Sequence, residues 1–124
     1  MDRPLVLVVD DEKDIQRIAS RVLSGLGYGV IVAKDGPEGL ELAKAYRPEM
    51  ILADALMPKM DGREMCRRVK EDPALAGIKV VVMTSVYNHP KYRTEGLRVF
   101  QADDYLNKPL DLAQLNALLQ KHLG

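Results

Sequence analysis

The 124-residue sequence predicts an α/β fold, a doubly wound five-stranded parallel sheet carrying five helices. Short apolar runs such as Leu5-Val6-Leu7-Val8-Val9 lack the polar alternation of a half-exposed strand. They read as strands buried on both faces, the mark of a parallel sheet. Between the runs lie segments with apolar residues at helical spacing. Strand and helix alternate five times, with no internal repeat, low-complexity tract or linker.

The first strand runs from Pro4 to Val9 and is closed by Asp10-Asp11-Glu12. Ile15, Ile18, Ala19, Val22, Leu23 and Leu26 then recur on one helical face, with Gln16, Arg17, Ser20 and Arg21 between them. Gly25, Gly27 and Gly29 end that helix and turn into a second strand, Val30-Ile31-Val32-Ala33. They follow a helix instead of a strand, so a helix-ending turn accounts for them better than a dinucleotide fingerprint. Asp35-Gly36-Pro37 opens the second helix, because proline is tolerated in a first turn, and Leu40, Leu42, Ala43 and Ala45 supply apolar content. Tyr46-Arg47-Pro48 ends it.

Met50-Ile51-Leu52-Ala53-Asp54 is the third strand, followed by a proline- and glycine-bearing turn from Ala55 to Gly62. Gly62 to about Glu71 is the third helix, with Met65, Cys66 and Val69 inward. Asp72-Pro73 stops it, because the residue before proline disfavours helix. Ile78 to Thr84 is the fourth strand. Val86 to Tyr92 is a polar, aromatic-bearing loop, and a fourth helix from near Arg93 to Phe100 carries Leu97, Val99 and Phe100. Asp104-Tyr105-Leu106-Asn107 is the fifth strand, ended by Lys108-Pro109. Asp111 to Gln114 resembles a capping box for the last helix, where Leu115, Leu118, Leu119 and His122 follow.

The length suits one domain, read as 1–124 with no output domain, since no DNA-binding or catalytic segment follows the last helix. A stand-alone protein and a piece of a longer one are both open readings here. Acidic and basic residues balance at 18 each, which gives no electrostatic footprint for nucleic acid or an anionic membrane. Cys66, the one cysteine, excludes an internal disulfide, fits a reducing compartment and reads as an inert helix thiol. No apolar stretch approaches the ~18–20 residues of a membrane span. Asp10-Asp11-Glu12 cuts the N-terminal run too short for a signal peptide. The expectation is a cytoplasmic domain.

The third strand ends in an aspartate, and the carboxyl ends of strands in such sheets face the ligand crevice. On that stretch alone, a capping or turn role for Asp54 is an equal reading. The other strand ends shift the balance: Asp10-Asp11 after the first, Thr84-Ser85 after the fourth, Lys108 after the fifth. In a parallel sheet these converge on one edge. Clustered carboxylates repel one another unless a cation relieves them, and an oxygen-only set suits a hard ion. The expected ligands of a magnesium ion are Asp11 and Asp54 directly, with Asp10 through water. Lys108 can pair with Asp54 at rest and then neutralise phosphoryl oxygens, and Thr84 offers a hydroxyl. Together these parts suit attack by Asp54 on a phosphoryl group, giving an aspartyl phosphate.

With these residues in view, the sequence resembles the receiver domain of two-component response regulators, a CheY-like, flavodoxin-like fold, along essentially its whole length. The matching motifs are Val8-Val9-Asp10-Asp11-Glu12, the stretch from Asp54 to Gly62, Val82-Met83-Thr84-Ser85, and Ala102 to Pro109. The resemblance implies that Asp54 is the phosphoacceptor. It implies that Asp10, Asp11 and Asp54 hold Mg2+ (or Mn2+) with the Leu56 backbone carbonyl. Thr84 and Lys108 would contact the phosphoryl oxygens, and Tyr105 would be the aromatic switch, its plainer reading being an amphipathic strand aromatic. It further implies sheet order 2-1-3-4-5, a cis Lys108-Pro109 bond and a histidine kinase or phosphotransfer protein as donor. On phosphorylation, Thr84 would be drawn to the new oxygens and Tyr105 would turn inward. The surface of the fourth helix, fifth strand and last helix would then change its preference for an unnamed protein target.

The chain departs from the family at several places. Leu56 and Val86 are apolar where polar residues often position an attacking water, so slow self-dephosphorylation is expected. Ser85 replaces alanine, Gln101 replaces glycine, and Tyr87 to Arg93 is longer and more basic than usual. His89 and His122 show no metal-binding spacing and are assigned no site. Two rival functions remain at this point. A magnesium-dependent phosphohydrolase resembling haloacid dehalogenases would need a D-x-D pair and a cap, whereas here Asp10 and Asp11 are adjacent and no cap-sized insertion exists. A phosphorylation-independent scaffold of the same fold has no need of Thr84 and Lys108 beside the acids.

Overall fold

The computed structural model describes residues 3–84 and 102–124. Five strands, β1 (Leu5–Val9), β2 (Gly29–Ala33), β3 (Met50–Asp54), β4 (Lys79–Thr84) and β5 (Asp104–Asn107), form one sheet in the order β2-β1-β3-β4-β5. Every neighbouring pair is parallel. Four helices accompany them among the described residues: α1 (Lys13–Gly25), α2 (Gly36–Tyr46), α3 (Gly62–Glu71) and α4 (Leu112–Leu123). The predicted helix near Arg93 to Phe100 and the loop from Val86 to Tyr92 lie outside the described residues, as do Ser85 and Gln101. The expected fold class and strand order hold, and the Lys108–Pro109 peptide is cis.

The apolar runs are strands because both of their faces are covered. Leu7, Val9, Ile51, Ala53, Val80 and Val82 point to one side, where Leu40 and Ala43 of α2 and Met65, Cys66 and Val69 of α3 meet them. Val6, Val8, Met50, Leu52, Val81 and Met83 alternate to the other side. There they pack on Ala19 and Leu23 of α1 and Leu115, Leu118 and Leu119 of α4. Fully buried side chains such as Ile51 and Leu52 contribute about 1.5–3 kcal/mol each. Cys66 lies inside this packing, and burial pushes its thiol up to about 12, so it is inert at neutral pH.

Local signals set the ends of the helices. Asp35, Asp61 and Asp111 each accept the N–H three residues on, from Glu38, Glu64 and Gln114, at 2.9, 2.9 and 3.0 Å. After α1, Gly27 takes a left-handed φ of 96°, the conformation for which glycine has no Cβ penalty. Arg47 makes the same excursion after α2, just before Pro48.

Candidate functional site

Ladder register brings the strand ends together. Val9 stands opposite Ala53, so Asp10 leaves β1 beside Asp54 at the end of β3. Asp54 pairs with Met83, and the Ala55 N–H reaches Met83 O at 2.8 Å, so Thr84 ends β4 one step further. Thr84 pairs with Asn107, which delivers Lys108 to the same edge from β5. Asp10, Asp54 and Thr84 are all buried there.

Three carboxylates surround the Lys108 ammonium. Nζ lies 2.8 Å from Asp10 Oδ2, 3.3 Å from Asp54 Oδ1 and 3.3 Å from Glu12 Oε1. Asp10 organises the turn into α1: its Oδ1 accepts the Glu12 N–H at 2.9 Å and its carbonyl accepts Gln16 Nε2 at 2.6 Å. Its Oδ2 touches Lys108 as an ion pair, but no hydrogen bond is aligned on that buried oxygen.

Burial raises the pKa of Asp54, and the Asp10 carboxylate raises it further against the opposing charge of Lys108. For Lys108, burial works against the ammonium, but Asp10 and Asp54 outweigh it and hold the proton above the ordinary lysine value. The pocket therefore keeps a cation in place while leaving excess negative charge.

Oxygens of Asp10, Glu12 and Asp54 lie within 4.8 Å of one another. An all-oxygen set that includes a buried carboxylate oxygen without an aligned hydrogen bond fits a hard divalent cation such as magnesium. The grouping differs from the sequence expectation in one member. Asp11 is exposed and lies outside the group, while Glu12, not singled out from the sequence, lies inside it. The signal for Glu12 was its place just before the first turn of α1, which brings its carboxylate toward the sheet edge.

The turn after Asp54 is built to close tolerances. A Cβ on Gly62 would stand 2.7 Å from the Asp54 carbonyl oxygen, and one on Gly36 would stand 2.7 Å from Met60 Cβ. Lys59, at a left-handed φ of 70°, reaches Asp35 Oδ2 at 3.4 Å, so the turn is tied to the start of α2.

Over residues 6–120 the sequence matches the family described as response regulator receiver domain. The chain belongs to that family. The receiver is 36% identical over 122 residues to the DNA-binding dual master transcriptional regulator RpaA of Synechocystis, covering 95% of this chain and 50% of that protein. It is 35% identical over 112 residues to the alkaline phosphatase synthesis transcriptional regulatory protein PhoP of Bacillus subtilis, covering 90% and 45%. The chain thus spans about half the length of these relatives. The structure of the chemotaxis response regulator CheY4 of Vibrio cholerae superposes with a TM-score of 0.88 at 31% identity, covering 98% and 99% of the two chains. This receiver is a response-regulator signalling domain.

Of the remaining site residues expected in the receiver, Leu56 is 66% exposed and Val86 lies outside the described residues. Tyr105 is buried in β5 opposite Val82. His122 proves to have a structural partner: its Nε2 lies 2.8 Å from Asp104 Oδ2, fastening α4 to the start of β5. No described helix is long and apolar enough to cross a membrane.

Proposed function

We propose that Asp54 is the phosphoacceptor of this receiver and takes its phosphoryl group from a histidine kinase or phosphotransfer protein in the cytoplasm. The observation that carries the reading is the Lys108 ammonium bridging Asp10 and Asp54 at the carboxyl edge of the sheet. An Asp54 oxygen attacks phosphorus on the donor histidine, the phosphorus–nitrogen bond breaks, and the imidazole leaves with its electron pair and takes up a proton. The product is an acyl phosphate on Asp54. Lys108 offers N–H groups to the phosphoryl oxygens as their charge grows, and Thr84 contributes its hydroxyl at the same edge.

Asp10, Asp11, Asp54 and the Leu56 carbonyl are the expected ligands of Mg2+ or Mn2+. When bound, the cation neutralises charge on the transferring group. The modification biases an equilibrium already present, read out by Thr84 and Tyr105 and passed to the face that carries β5 and α4. That face then selects a protein target.

The test is incubation with Mg2+ and acetyl phosphate followed by intact-mass measurement. Wild type is expected to gain the mass of one phosphoryl group and Asp54→Asn none. Equal uptake by the variant, or none by wild type, refutes the assignment. Steady release of phosphate from a phosphomonoester would favour a hydrolase instead.

A further inference from the structure

The Lys108 ammonium has three N–H donors, and the three carboxylates that meet it are not equivalent. Asp10 is fully buried, and its other oxygen is fastened to the Glu12 N–H. Asp54 is the residue to be modified. The Glu12 side chain is 62% exposed, and its contact with the ammonium at 3.3 Å is a hydrogen bond. Glu12 precedes α1, but its side chain makes no capping bond to the helix. Among the described residues, the partner its carboxylate meets is Lys108.

Resting on the phosphoacceptor assignment above, we infer that Glu12 is a placeholder for a phosphoryl oxygen. It occupies one N–H of Lys108 in the unmodified domain and yields it when Asp54 is phosphorylated. When Asp54 Oδ2 carries the phosphoryl group, Oδ1 remains a carbonyl acceptor beside Lys108, so an arriving phosphoryl oxygen is a fourth acceptor for three N–H groups and one existing acceptor leaves. Withdrawing Asp10 would strand a buried carboxylate, whereas Glu12 returns to water at little cost. Glu12 is thus a positioning residue acting through Lys108. An interaction present in the ground state and absent in the transition state slows the step, so its loss should speed phosphorylation.

Two variants separate this contact from simple charge. Glu12→Gln removes the charge. Glu12→Asp keeps it but is one methylene shorter and withdraws from Lys108. With acetyl phosphate at saturating Mg2+, both are expected to be phosphorylated about two- to fivefold faster than wild type, the scale of an exposed ion pair. The gain should vanish in a Lys108→Ala background. The nitrogen NMR signal of the Lys108 ammonium should differ between Glu12→Gln and wild type before modification and coincide after it. A Glu12→Asp rate equal to wild type, or an ammonium signal unmoved by Glu12→Gln, overturns the placeholder role while leaving the phosphoacceptor assignment intact. Failure of wild type to be phosphorylated overturns both.

Discussion

Thr84 stands opposite Asn107 in the β4–β5 ladder, and its carbonyl oxygen accepts the Lys108 N–H at 2.9 Å. Backbone pairing therefore places Lys108, and the Thr84 side chain is not needed for it. Thr84→Ala is expected to fold, to keep Lys108 beside the acids and still to accept a phosphoryl group on Asp54. What it should lose is the coupling: the change in the Tyr105 NMR signals on phosphorylation is expected to shrink. A full-sized Tyr105 response in the variant would remove Thr84 from the switch.

Asp54 gives the pocket a pH dependence of definite sign. Burial first, then Asp10, raise its folded pKa above the ordinary carboxylate value. A carboxyl that binds its proton more tightly when folded costs stability once ionised. The cost is absent below the unfolded pKa and complete above the folded one. Asp54→Asn is expected to have a higher urea midpoint than wild type at neutral pH. That advantage should fade as the pH is lowered through the carboxylate range. A less stable variant at neutral pH would contradict the sign.

Gly62 and Gly25 should respond oppositely to alanine. At Gly62 the added Cβ meets the Asp54 carbonyl oxygen at 2.7 Å and Ala55 Cα at 3.1 Å, both backbone atoms that cannot swing aside. Gly62→Ala is expected to destabilise by about 1–3 kcal/mol and to slow phosphorylation of Asp54. At Gly25, the last residue of α1, nothing lies within 4 Å of the new methyl. Gly25→Ala should be neutral or stabilising by up to about 1 kcal/mol. Chemical denaturation of the two variants checks the contrast.

Leu56 follows Asp54 by two positions, and its exposed apolar side chain has no hydrogen-bonding group with which to orient a water. The phosphorylated domain is expected to lose its phosphoryl group slowly. Leu56→Asn, alone or with Val86→Glu, should shorten the lifetime severalfold, by about one hydrogen bond's worth of positioning. Mass measurement of phosphorylated protein against time after donor removal gives the answer. An unchanged lifetime would count against the idea.

The sheet was legible in the sequence because strands covered on both faces admit few polar residues. Val6 to Val9 and Ile51 to Ala53 have no other environment available to them. The start of the last helix was legible at Asp111 because a capping box needs only residues three apart, and that of α2 because Pro37 suits a first turn. Side-chain partners distant in sequence were not. Lys70 of α3 bonds Asp103 at 2.7 Å, and that carboxylate also accepts the Val80 N–H at 2.8 Å, joining α3 to the starts of β4 and β5. His122 was assigned no site and meets Asp104.

The amino-acid sequence by itself determined which residues are strand, which are helix and which polar groups stand at strand ends. Each of those follows from neighbours a few residues apart and from the exclusion of charge from a two-sided core. Only the tertiary structure decided that Glu12, and not Asp11, joins Asp10 and Asp54 around Lys108. That choice depends on where ladder register sets Lys108 beside the turn after β1, and no local pattern specifies a side-chain approach across 96 residues of chain.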